Sequence, residues 1–86
     1  MQETINEKVS VITLYDRDTR VYKPLKVKWG GRVYVISEWG YRHNRREGRA
    51  MIHVFSVSTP TLFMCLELNT ETLDWTLKEI SDGNAA

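Results

Sequence analysis

Between Trp39 and Arg49 the chain reads Trp-Gly-Tyr-Arg-His-Asn-Arg-Arg-Glu-Gly-Arg, four arginines in a segment that begins with two aromatics. Guanidinium groups bind phosphate oxygens in bidentate fashion, and exposed aromatic faces stack on unpaired bases. Lys26 and Lys28, two apart in an alternating stretch, extend the same field if their face adjoins this segment. The residue types therefore select Arg42, Arg45, Arg46, Arg49, Lys26 and Lys28 as contacts for a polyanion, nucleic acid above all, with Trp39 and Tyr41 as stacking groups. The plainer reading is a solvated basic hairpin tip, since positive strand faces also keep a sheet edge soluble. An acidic protein surface, including the acidic C-terminal half of a second copy, suits the same cations.

Other chemistry is weaker. If Thr59–Thr61 is a three-residue loop, Ile52 faces Leu68 and Val54 faces Leu66 in the core, and His53 opposes Glu67 on the outer face with Cys65 on the diagonal. A thiol beside a base and a carboxylate has the makings of an activated nucleophile. One slip in register dissolves that group, and no glycine turn follows Cys65 to build an oxyanion hole, so a structural cysteine is the preferred reading. His43 reads as a polar group of the basic segment. Two histidines and one cysteine at unrelated spacing match no zinc pattern, and Gly30-Gly31 is a turn signal with no phosphate-loop context. The sequence thus predicts a non-catalytic chain without metal or cofactor.

The charge is unevenly distributed. The 86 residues carry a formal net charge of +1. Residues 17–49 hold ten Lys/Arg against Asp18, Glu38 and Glu47, whereas residues 50–86 hold only Lys78 against five carboxylates. With 42% hydrophobic and 27% charged residues the composition is that of a folded domain, and one domain, 1–86, is all that this length accommodates comfortably. No segment approaches the roughly 20 apolar residues of a membrane span. The polar, acidic start and the single cysteine point to the cytoplasm, and both a monomer and a homodimer fit the size.

The elements that must position these groups are strands, because the apolar pattern has period two almost throughout. Leu25, Val27 and Trp29 alternate with Lys26 and Lys28, and Gly30-Gly31 closes a hairpin that pairs Trp29 with Arg32, Val27 with Tyr34 and Leu25 with Ile36. Residues 9–14 form the strand before it, ending at the turn 16–19. Residues 50–58, 62–69 and 73–80 form three more, the last hairpin pairing Leu68 with Leu73, Leu66 with Trp75 and Met64 with Leu77. That register sets Glu67 against Asp74 on the outer face. Residues 37–49 suit either a continued strand or a long loop. Trp29 and Trp75 belong to the core and Trp39 is the exposed tryptophan. The prediction is an all-β single domain, a six-stranded antiparallel meander coiled into a strongly twisted sheet or a small partly open barrel, with residues 1–7 and 81–86 fraying.

Two segments, Pro24-Leu-Lys-Val-Lys-Trp-Gly-Gly-Arg-Val-Tyr-Val-Ile36 and Leu66-Glu-Leu68 with Glu71-Thr-Leu-Asp-Trp-Thr-Leu77 and Ile80-Ser-Asp-Gly83, are similar to the opening and the closing hairpin of an uncharacterised family of small bacterial all-β domains. Some relatives of that type occur beside error-prone DNA polymerase homologues. The resemblance implies a setting of DNA transactions and carries over no binding residue, because the arginine-rich segment is outside its pattern. The combined expectation is an accessory module that binds nucleic acid or another polyanion. The alternative is a protein-interaction or self-assembly domain that uses a sheet edge.

Overall fold

The computed structural model describes residues 2–82. Seven strands, β1 (Gln2–Asp16), β2 (Val21–Trp29), β3 (Arg32–Val35), β4 (Glu38–Glu47), β5 (Ala50–Ser58), β6 (Leu62–Asn69) and β7 (Trp75–Asp82), form one antiparallel sheet. Their order is β3-β2-β1-β7-β6-β5-β4. The all-β class stands, with one strand more than expected, because the ambiguous stretch after residue 37 becomes β4.

The long β1 makes the coil. Its N-terminal half pairs with β7 from Gln2 to Val9, and its C-terminal half pairs with β2 from Ser10 to Asp16. Residues 2–7, expected to fray, are thus inside the sheet, as are residues 81–82; the rest of both expected tails lies outside the described residues. A bulge between Thr4 and Glu7 bends β1, with Asn6 at φ 53, which adds the local twist that bulges bring. The sheet rolls far enough for consecutive residues of the β3–β4 link to bond to both flanks. Ile36 N–H donates to the Leu25 carbonyl and Ser37 N–H to the Ser58 carbonyl. No ladder joins β3 to β4, so the sheet does not close into a barrel.

The roll encloses Val27, Ile36, Phe55, Val57, Met64, Leu66, Leu68, Trp75 and Leu77. Leu66 and Leu77 face each other across β6–β7 and are wholly buried, each worth about 1.5–3 kcal/mol by transfer. The β2–β3 hairpin has the expected register, Trp29 with Arg32, Lys28 with Val33, Val27 with Tyr34 and Lys26 with Val35.

Two registers differ from expectation. In β5–β6, His53 opposes Leu68, Phe55 opposes Leu66 and Val57 opposes Met64, a one-residue slip that turns every β5 side chain to the other face. The cause is the turn, where Thr59 N–H donates to the Leu62 carbonyl and the Thr59 hydroxyl accepts from Leu62 N–H, leaving four residues between the paired Ser58 and Phe63. In β6–β7, Leu68 opposes Trp75 and Leu66 opposes Leu77. Here Asn69 lengthens the turn. Its side-chain oxygen accepts from Glu71 and Thr72 N–H, and its carbonyl accepts from Leu73 N–H. Leu73 is left 71% exposed, in the left-handed region at φ 66.

Candidate nucleic-acid interface

The basic segment is the edge strand β4 rather than a loop, and its pairing with β5 divides the arginines. Arg42 opposes Phe55, Asn44 opposes His53 and Arg46 opposes Met51, on the inner face. His43 opposes Val54, Arg45 opposes Ile52 and Glu47 opposes Ala50, on the outer face. Gly40 decides this division. A bulge lies between Trp39, opposite Val57, and Arg42, opposite Phe55. A Cβ on Gly40 would lie 3.2 Å from the Ser56 carbonyl oxygen, so a side chain here requires β5 to give by a few tenths of an ångström. The extra residue re-aims the strand, bringing Arg42 onto the face of Trp39 and sending Tyr41 out to lie beside His43, with ring centroids 5.2 Å apart.

The inner face of β4 meets the start of β2 across the opening of the roll. Trp39 Nε1 donates to the Pro24 carbonyl at 2.7 Å. Lys23 Nζ sits 4.1 Å from the centroid of the Trp39 ring, and Arg42 Cζ lies 5.1 Å from the centroids of both Tyr22 and Phe55. Between these groups runs a groove of about 190 Å³ whose walls include Tyr22, Lys23, Trp39, Tyr41 and Arg42, with Phe55 and Val57 also lining it. Among the described residues neither Lys23 nor Arg42 has a carboxylate within salt-bridge distance. A cation seated on a ring keeps its charge and its outward N–H groups while its side chain is held in place.

Arg45 is occupied elsewhere. Its guanidinium makes a two-pronged pair with Glu67, at 2.9 and 3.0 Å, and reaches Glu47 at 2.8 Å. Hydrogen bonds to these carboxylates raise its pKa further. On the same face Ile52 and Val54 are each only 5% exposed, flanked by Arg45, His43, Glu67 and Asn69 in the register of β4 and β6. Arg46 shares the face of Arg42, and Arg49 occupies the β4–β5 turn. Lys26 and Lys28 point away from the buried Val27, between exposed Val35 and Val33 and the strand β1. They do not line the groove. Trp39 is the exposed tryptophan, at 39%, yet Lys23 already covers its ring.

The register slip also separates the would-be nucleophile group. His53 is on the inner face, where its Nδ1 is hydrogen-bonded to the Tyr22 hydroxyl and its ring stacks on Tyr22. Cys65 and Glu67 remain on the outer face. Burial, then the Glu67 and Glu79 carboxylates, push the Cys65 thiol up, away from the reactive thiolate. Glu67 opposes Thr76 rather than Asp74, and Asp74 pairs with Lys8 at 3.1 Å. Among the described residues there is no group of three or more His, Cys, Asp or Glu side chains placed to hold a metal ion, and no helix is long and apolar enough to cross a membrane.

Tyr22 and Lys23, which complete the groove, were not singled out by sequence reasoning. Nothing local marks them, because they join Arg42 only through the roll of the sheet. No family model, curated protein or solved structure matches the chain.

Proposed function

We propose that this protein is a non-catalytic accessory module that holds a polyanion, nucleic acid in the first place, along the groove between β2 and β4. The observation that carries the reading is the pair of cations, Lys23 and Arg42, each held on an aromatic ring at the same opening and without a carboxylate partner among the described residues. Arg46 continues the row along β4. Tyr41, 69% exposed, turns its ring to the His43 side of β4, open to a base that leaves the groove, whereas Trp39 acts as the seat of Lys23. The groove is smaller than the roughly 300–1,000 Å³ of ordinary small-molecule sites, which suits a strand threading past more than an enclosed metabolite. The free thiol of Cys65 agrees with a cytoplasmic setting.

The test is a titration with labelled single-stranded oligothymidylate at pH 7.5 over a range of salt. Three phosphate contacts, from Lys23, Arg42 and Arg46, give a slope of log K against log salt of about −2. Absence of binding at low salt overturns the proposal.

A second reading follows from the position of β4. It is the last strand of the sheet, ten residues long and exposed throughout, with a partner on one side only among the described residues. Such an edge is a template for another chain, and light scattering distinguishes a dimer built on it from a monomer. Arginines on both faces of β4 oppose pairing with a second copy of the same strand, so the polyanion reading comes first.

A further inference from the structure

Behind Tyr22 the groove is backed by an imidazole. His53 lies at the middle of β5, opposite Asn44 of β4 and Leu68 of β6. Its ring stacks on Tyr22 with centroids 5.5 Å apart, and Arg42 lies over the same Tyr22 ring. No carboxylate faces it from β4, β2, β6 or β7 among the described residues; the groups there are cationic, neutral polar or apolar. From β4 come Arg42 and Arg46, flanking Asn44 on the inner face. From β2 comes the Tyr22 hydroxyl. On this face β6 contributes Leu66 and Leu68, because Glu67 is on the other face with Arg45. Beyond them β7 contributes Trp75 and Leu77.

We propose that His53 is a pH-gated member of the polyanion groove, adding a positive charge behind Arg42 on protonation and retaining that proton more firmly when a phosphate backbone is bound. The inference rests on the reading of the groove as a polyanion site. His53 Nδ1 and the Tyr22 hydroxyl share a hydrogen bond, and burial together with the Arg42 charge holds the imidazole below its ordinary pKa. A phosphate seated on Arg42 cancels the repulsion that Arg42 exerts on the imidazolium. Proton and polyanion therefore favour each other's binding by the same factor. His53 acts through the field of the groove and the placement of Tyr22, not by contact with the ligand.

The experiment measures binding of the same oligothymidylate at fixed low salt from pH 8 to pH 5.5, for the natural chain, His53→Gln and His43→Gln. A charge within a few ångströms of a bound phosphate, largely screened by water, strengthens binding by about three- to fivefold. The natural chain and His43→Gln gain this factor on acidification, while His53→Gln binds equally well at both ends. Binding at pH 8 with no gain on acidification, or an equal gain in His53→Gln, overturns the role of His53 and leaves the groove standing. No binding of the natural chain at any pH overturns the groove reading and this inference with it. If His53→Gln does not fold, the imidazole of the natural chain is titrated by NMR with and without oligothymidylate. An unchanged His53 pKa in the presence of bound oligonucleotide overturns the proposal.

Discussion

Arg42 and Arg45 are close in sequence and of one residue type, yet their alanine variants are expected to fail in different assays. Arg45 and Glu67 form a two-pronged pair in which the arginine side chain is 42% exposed and the glutamate 16%. Exposed ion pairs contribute about 0–1 kcal/mol, and two-pronged geometry against a mostly buried carboxylate places this one at the upper end. Arg45→Ala also uncovers part of the apolar pair Ile52 and Val54, for a total loss of about 1.5–2 kcal/mol. Arg42→Ala breaks no ion pair among the described residues and loses its contact with the Tyr22 and Phe55 rings, about 0.5–1 kcal/mol. For oligothymidylate the order reverses. Arg42→Ala removes one phosphate contact and reduces the salt slope by about 0.7, whereas Arg45→Ala leaves it unchanged because its charge is already matched. Urea unfolding followed by tryptophan fluorescence reads the first quantity and anisotropy over a salt series reads the second. If Arg45→Ala flattens the salt slope as Arg42→Ala does, the assignment of the two faces of β4 is refuted.

Three further outcomes test the frame around the site. Leu73 is exposed and holds φ 66, so Leu73→Gly relieves a left-handed leucine and raises the urea midpoint by the equivalent of about 0.5–1 kcal/mol, the entropy of glycine being subtracted; a lower midpoint contradicts the strain. Trp39→Phe deletes the donor to the Pro24 carbonyl, costs about 1 kcal/mol and loosens the β4 edge, which faster amide exchange along 38–42 would register and unchanged exchange would deny. Because the His53 pKa is lowered in the fold, the unfolded chain binds the more protons, and stability is full above the unfolded value of about 6.5 and declines as pH falls through the folded value. His53→Gln should remove that decline in a series of urea midpoints, and an undiminished decline would assign it to other groups.

The parts legible in the sequence are those where pattern and turn agree. In β2–β3 the alternation of Leu25, Val27 and Trp29 and the Gly30-Gly31 turn specify the same register, with both glycines at positive φ. In β5 the pattern is ambiguous, because Ile52 and Val54 are buried on one face and Phe55 and Val57 on the other. Apolar residues of both parities leave the register to the turn, and the Thr59 hydroxyl, which closes it one residue longer than a three-residue loop, is not a strong local signal. The Leu68–Leu73 pairing failed for a related reason. A two-residue shift preserves the face, so hydrophobic alternation cannot distinguish the two registers, and Asn69 Oδ1 capping Glu71 and Thr72 selects the longer turn.

The site was less legible than the fold because its two walls are joined only by the roll of the whole sheet. A basic segment at 42–49 was visible, but which of its arginines stay available depends on a bulge at Gly40, and Gly40 makes its close approach to Ser56 on another strand. Without that bulge, strict alternation would place Tyr41 with Trp39 toward β2 and turn Arg42 outward, beside Arg45 and its carboxylates. The groove would then hold a tyrosine where it now holds the Arg42 guanidinium. Gly40→Ala therefore tests the logic of the site at its origin. The added Cβ, 3.2 Å from the Ser56 carbonyl oxygen, is relieved by a shift of a few tenths of an ångström or by straightening of the strand. Where the strand straightens, Arg42 leaves the Tyr22 ring, and salt-dependent binding falls to the level of Arg42→Ala although every arginine is still present. Natural-level binding by a Gly40→Ala variant in which Arg42 has left the Tyr22 ring would show that the groove does not depend on the cation the bulge places.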